Sequence, residues 1–273
     1  MSRRHKRSRT MSDGVRGTLL GLLGVAIIGG LVGGYLLLKQ SRPQLDSETN
    51  CPKSGPVAIH VLLFDRSDPI SEQQAQRIRQ TIEKLKDTAA FGQRFDVYTF
   101  QGDTARALEP KLKICALGKP GEANQWTENP ELVKRRYETK FAAVLDQTVS
   151  ELLRGSKEST SPIIESLRAA AISSFGLVER GQIPLRVTMI SDMVQHTPLY
   201  SQFQAEPNFQ QLSRMPAWAT LQPQLKGADV DILYLLRLTA LRKGVPVQNR
   251  GHQLFWEQLI AGSGGRPTSI DPL

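Results

Sequence analysis

Two cysteines among 273 residues exclude a disulfide-dense mini-domain. Neither Cys51 nor Cys115 belongs to a Cys-x-x-Cys pair, which removes the ordinary structural zinc modules. Histidine is equally sparse. His5, His60, His196 and His252 are scattered without metal-ligand spacing, and His60, inside an apolar run, reads as a core or face residue. No Gly-x-Ser-x-Gly elbow, Gly-Lys-Ser/Thr phosphate loop or Gly-x-Gly-x-x-Gly turn follows a strand-like segment, so the common hydrolase, nucleotide and dinucleotide machineries lack their signatures. Internal repeats and low-complexity tracts are absent as well. Acidic residues are missing before Asp13, and no charged residue occurs from Gly17 to Leu38.

That last absence is the first positive signal. An apolar run longer than about 18 residues is a candidate membrane helix, whereas a cleaved signal sequence has a shorter apolar core of about 7–15 residues and ends in a small-x-small site. Leu38-Lys-Gln-Ser-Arg-Pro43 offers no such site, so residues 17–38 read as an uncleaved anchor. Arg3, Arg4, Lys6, Arg7, Arg9 and Arg16 precede the run, against Lys39 and Arg42 just after it. The bias places residues 1–16, a basic tail, in the cytoplasm and everything beyond Lys39 outside, periplasmic or extracellular, with a bacterial inner membrane the favoured setting. The same tail accounts for much of the formal charge of +9, so anionic lipid rather than nucleic acid is its expected partner. Gly17/Gly21, Gly29/Gly33 and Gly30/Gly34 are small-xxx-small pairs through which two such helices could associate. On the oxidising side, Cys51 and Cys115 pair most simply as one disulfide, with two buried free thiols as the alternative.

Residues 39–56 carry Pro43, Pro52, Gly55 and Pro56 without an apolar period and read as a linker. Val57 to Phe64 is a continuous apolar run of the kind found in a strand covered on both faces. It stops on Asp65-Arg-Ser67-Asp68-Pro69-Ile-Ser71. Ala75, Ile78, Ile82 and Leu85 then recur at helical spacing. Arg94–Phe100 alternates as a strand, Gln101-Gly-Asp-Thr marks a turn, and a second strand near residues 111–116 completes a hairpin at the sheet edge. A Gly/Pro/Asn loop containing Trp126, a surface anchor or more simply a satellite core residue, leads to a long helix over residues 131–153. Ser161-Pro162 has the pattern of an N-cap followed by proline at the first helical position. Leu185 to Asp192 is another strand ending on a hydroxyl and an acid, Phe209–Leu225 holds a helix broken at Pro216, Val230–Arg237 is a further strand, and Gly251–Gly262 is a last amphipathic helix. Alternating strands and helices imply an α/β domain over residues 57–262, a doubly wound, mostly parallel sheet with helices on both faces, followed by a C-terminal tail, 263–273.

In such a sheet, ligand sites form at the carboxyl ends of strands. The two acid-terminated strands and the loop before Pro162 could bring together Asp65, Ser67, Thr160, Ser161 and Asp192, an oxygen-only set suited to a hard cation such as Mg²⁺. Asp65-Arg-Ser67 after an apolar strand, a Ser/Thr loop opening a helix, and Ile190-Ser-Asp192 ending a later strand together resemble the metal-ion-dependent adhesion site of von Willebrand factor A-type domains. The order of elements is similar from about Pro56 to Gly262. The resemblance implies that Asp65, Ser67, Ser161 and Asp192 hold a divalent cation and that an acidic side chain of a protein partner completes its coordination. The family motif is Asp-x-Ser-x-Ser, and here Pro69, which has no side-chain oxygen, stands in the last position. Asp68, Ser71 and Thr160 are the additional oxygens nearby. Each residue also has a plainer role open to it: Asp68 as an N-cap, Ser71-Glu-Gln-Gln74 as a capping box, Ser161 as a cap, and the two acids as structural hydrogen-bond acceptors.

The resulting expectation is a single-pass membrane protein with an external protein-binding module and no enzymatic activity. A metal-independent scaffold of a cell-envelope assembly is the alternative. A phosphoester hydrolase of the haloacid dehalogenase type, with Asp65 as nucleophile, fits less well, because it needs a second acid two positions on, where this chain has Ser67.

Overall fold

The computed structural model of the chain describes residues 13–40, 43–100, 108–122, 129–154, 160–237 and 240–273. The basic tail before Asp13, the expected turn at 101–104 and Trp126 lie outside the described residues. Two compact units divide the chain, residues 1–44 and residues 45–273.

In the first unit, Asp13–Gln40 forms one 28-residue helix, α1, about 42 Å long at 1.5 Å per residue. Leu20, Leu22, Leu23, Val25, Ile27, Ile28, Leu31 and Val32 are all exposed on it. Among the described residues no helix is long and apolar enough to cross a membrane. The expected span of residues 17–38 includes positions 19 and 35–38, whose side chains lie outside the described residues.

The second unit is built on β1 (Ala58–Asp65), buried from Ile59 to Asp65. Around it lie β2 (Gln93–Phe100), β3 (Leu112–Cys115), β4 (Leu185–Ser191), β5 (Asp229–Tyr234) and β8 (Arg266–Pro272), in spatial order β3-β2-β1-β4-β5-β8. All neighbours are parallel except β2 and β3, which form the antiparallel edge pair the sequence suggested. A separate two-stranded hairpin joins β6 (Leu241–Arg242) to β7 (Val245–Pro246).

Alternation along the strands divides the core between the two faces. Ile59, Val61 and Leu63 of β1 face one side with Val187, Met189, Val230 and Ile232. They pack against α5 (Ile163–Phe175), α6 (Phe209–Ser213), α7 (Trp218–Leu221) and α8 (Arg250–Gly262). Leu62 and Phe64 face the other side with Phe95, Val97 and Leu233, under α2 (Glu72–Thr88) and α4 (Ala143–Leu152). A continuous apolar strand is therefore required at β1, because both of its faces are covered.

Four local readings change. The helix expected over 131–153 consists of α3 (Pro130–Tyr137), a π turn over Glu138–Ala142 and α4; the wider turn brings Phe141 into the core, against Phe95 and Tyr137. Helix α2 is capped by Ser71, whose Oγ accepts from Gln74 N while the Gln74 side chain accepts from Ser71 N, so Asp68 is not its cap. Pro162, not Ser161, occupies the N-cap position of α5 and makes no side-chain cap bond. Residues 266–272, read as part of a C-terminal tail, form β8, the edge of the sheet, with Pro267 and Pro272 tolerated because one side of an edge strand needs no ladder donors. Cys51 and Cys115 are joined by a disulfide, and Cys115 N donates to Thr49 O at 2.7 Å. The end of the expected linker is thus fastened to β3.

Candidate functional site

The sheet order reverses between β1 and β4: connections from β1 run towards β2 and β3, whereas β4 begins the series towards β5 and β8. At such a switch point the flanking loops diverge and leave a crevice at the carboxyl ends of the two strands. Pairing of Phe64 with Ile190 makes Asp65 and Ser191 the next residues across the two strands, with Asp192 one step beyond.

Asp65 is buried, and its carboxylate gathers the surrounding loops. Oδ1 accepts from Ser67 N at 2.8 Å. Oδ2 accepts from Ser191 Oγ at 2.7 Å and from Ser161 Oγ at 3.2 Å. The loop before α5 is held in place by a two-way backbone bridge between Ser161 and His196 and by Glu165, which accepts from the Gln195 side chain and from Thr197 Oγ1. Ser161 therefore belongs to the site and not to the helix cap. Burial raises the Asp65 carboxyl above the usual range, opposed by the nearby hydroxyls of Ser67, Ser191 and Ser161 and by the Ser67 amide.

Asp192 is also buried, and Oδ1 accepts from Val194 N at 2.8 Å. Its carboxyl is pushed well above the ordinary value, first by burial and then by the negative charge of Asp65, with Asp68 adding to the effect. The turn beyond it is left-handed at Met193, with φ of 62°, a conformation that costs a non-glycine residue on the order of 1 kcal/mol or more. Ser191 Oγ accepts from Met193 N, and Trp256 Nε1 donates to Met193 O, both at 2.8 Å. Strain is thus fixed next to the acid by two buried hydrogen bonds.

Two like charges side by side in a buried position call for a cation or a proton. One observation bears directly on a metal. Ser67 is buried, 4% exposed, and its Oγ completes no hydrogen bond although it lies near enough to Asp65 to favour the charged carboxylate. A buried hydroxyl with an unused lone pair beside two carboxylates is the donor chemistry that a hard divalent cation takes, so Asp65, Ser67, Ser161 and Asp192 fit such an ion in kind. Among the described residues no group of three or more His, Cys, Asp or Glu side chains is arranged to hold a metal, so hydroxyls would have to complete the set. Ser71 is committed to its cap, Thr160 is only partly buried, and Pro69 contributes a carbonyl alone.

Two participants carried no sequence signal strong enough to select them. Ser191 was visible as the hydroxyl beside Asp192, but only the register shows that it reaches Asp65. Arg237, just past the end of β5, places Nε 3.8 Å from Asp192 Oδ2 and donates from Nη1 to Pro69 O at 2.5 Å. Gln248 secures that end of the strand: its Nε2 donates to Asp192 O and Leu235 O, and its Oε1 accepts from Arg237 N.

The mostly parallel sheet with an antiparallel edge strand and helices on both faces fits a von Willebrand factor A-like fold. No family model matches the chain, and no curated protein matches it. Among solved structures it is similar to an aerotolerance-related membrane protein from Bacteroides fragilis, at 14% identity and a TM-score of 0.37 over 79% of this chain and 91% of that one. It is also similar to proximal thread matrix protein 1 from the mussel byssus, at 11% identity and a TM-score of 0.34 over 80% of this chain and 42% of that one.

Proposed function

We propose that the chain is a membrane-tethered binding module of von Willebrand factor A type, anchored through residues 17–38 with residues 45–273 on the external face of a bacterial inner membrane. Its protein partner docks at the carboxyl ends of β1 and β4. Asp65, Ser67, Ser161 and Asp192 hold a divalent cation such as Mg²⁺, which when bound supplies a coordination position for an acidic side chain of the partner. The observation that carries the reading is the buried Ser67 Oγ, which lies near Asp65 yet completes no hydrogen bond, beside two buried carboxylates. The eight exposed large apolar side chains on α1 support the anchor. No enzymatic role is proposed, because Ser67 occupies the position where a phosphatase of the haloacid dehalogenase type needs its general acid.

Pro69 and the contact of Arg237 with Asp192 favour a second reading, a scaffold that needs no metal. Calorimetric titration of the detergent-solubilised full chain with Mg²⁺ and Mn²⁺ separates the two. Saturable single-site binding, weakened at least a hundredfold by Asp65→Ala, is expected if the cation reading holds. Identical heats for both proteins would leave the scaffold.

A further inference from the structure

Arg237 spans two of the loops that build the site. Its guanidinium faces Asp192, from the end of β4, and also binds the carbonyl of Pro69, in the loop after β1. The side chain is 16% exposed and the Asp192 side chain 8%, so the pair lies largely out of solvent. The two contacts differ in quality. Nη1 makes a short hydrogen bond to Pro69 O, whereas Nε is buried, makes no hydrogen bond, and stands 3.8 Å from the carboxylate. A guanidinium hydrogen-bonded to a carboxylate in good geometry approaches to about 2.7–2.9 Å. Charge is therefore balanced at Asp192 while Oδ2 is left without a hydrogen bond from Arg237, and that oxygen stays open to another electrophile.

Position 69 gives the arrangement its sense. A serine there would offer a hydroxyl to a cation. Proline offers only its carbonyl, and Arg237 takes it. The Pro69 carbonyl and one long side chain thus moor an internal positive charge beside Asp192.

We propose that Arg237 is a built-in cation of the site, which balances Asp192 when no metal is bound and competes with a divalent ion for it. This rests on the reading of Asp65, Ser67, Ser161 and Asp192 as a cation site, and it specifies that reading: the wild-type chain binds divalent ions weakly, and occupancy requires the guanidinium to yield Asp192. The exposed edge of Arg237 then remains beside the cation as a second positive group for an acidic partner.

The test uses the full chain in detergent, with Mn²⁺ followed by the loss of its free-ion paramagnetic resonance signal, and thermal unfolding in chelator as an independent readout. Arg237→Gln is expected to bind Mn²⁺ at least tenfold more tightly than wild type and to unfold several degrees lower in chelator, with the loss recovered by millimolar Mg²⁺. Arg237→Lys, which keeps the charge, should bind Mn²⁺ as weakly as wild type and keep its melting temperature. If wild type binds Mn²⁺ and Arg237→Gln binds no more tightly, the site reading survives and the role of Arg237 is overturned. If no variant binds Mn²⁺ but Arg237→Gln alone melts early, the metal reading fails and the charge-balancing role stands. Unchanged binding together with unchanged melting, or a lysine variant that behaves as the glutamine one, overturns the proposal.

Discussion

Acidification from pH 7 to pH 4 is expected to cost the domain of residues 45–273 on the order of 6 kcal/mol through two histidines alone, comparable to the whole stability of an ordinary domain. His60 and His252 are both buried. Burial, with Arg186 nearby, lowers the His60 value to about 3. Burial also lowers His252 to about 4, opposed by a backbone contact to Met193 and assisted by Arg242. Each ring is held neutral in the fold by burial among uncharged partners. His60 stacks on Phe95 and pairs with Thr188 Oγ1 at 2.8 Å. His252 Nε2 donates to Gln202 Oε1 at 2.9 Å, which leaves Nδ1 to accept from Tyr234 Oη at 2.6 Å. A folded value below the unfolded one gives stability that is full above about pH 6.5 and is lost as pH falls, at about 1.4 kcal/mol per pH unit per histidine. Asp65 and Asp192 act with the opposite sign. Their folded values are raised, so protonation on acidification relieves their repulsion and offsets part of the loss. Urea midpoints from pH 7 to pH 4.5 should fall steeply, and His252→Gln should remove about 1.4 kcal/mol per pH unit from the slope. An unchanged slope in that variant would mean that His252 is charged in the native state.

Removing the bridge between Cys51 and Cys115 should destabilise the domain by about 4 kcal/mol, since it closes a loop with a sequence separation of 64 and the cost follows the entropy of the reopened chain. For a domain of this size that corresponds to roughly 8–16 °C in melting temperature. The bridge fixes the segment ahead of β1 to the C-terminal end of β3, and Cys115 is fully buried, so reductant should act slowly on the folded protein and quickly once urea opens the edge. Circular dichroism melts of the double variant Cys51→Ser, Cys115→Ser measure the effect. A shift below about 2 °C would show that β2–β3 pairing and the Thr49 bridge hold that edge without it.

Much of the frame was legible in the sequence because the relevant pattern is local. The apolar run ending at Asp65, the helical spacing of Ala75, Ile78 and Ile82, and the second acid-terminated strand at Asp192 each state their structure over a few residues. What was hidden depends on contacts between distant segments. Residues 266–272 are polar, contain two prolines and are mostly exposed, so nothing short of the edge of β5 marks them as a strand. Ser161-Pro162 carries the signature of a cap, yet the reach of Asp65 across 96 residues takes its hydroxyl instead. Arg237 follows a strand like many surface arginines, and only the alignment of β5 beside β4 turns it onto Asp192. At the site the departure from local rules is concentrated: a left-handed Met193 and a buried hydroxyl that completes no hydrogen bond both lie at the carboxyl ends of β1 and β4.

The most direct test of the proposed docking site is crosslinking in cells that produce the full chain, with a photoreactive residue placed at Pro69 or Leu236, or at Leu177, a fully exposed position between α5 and β4 at the opposite end of the sheet. Adducts to one partner from Pro69 and Leu236, reduced by chelator and lost with Asp65→Ala, are expected, with none from Leu177. Adducts from Leu177 alone, or adducts from Pro69 and Leu236 indifferent to Asp65→Ala, would contradict a partner held at the ends of β1 and β4.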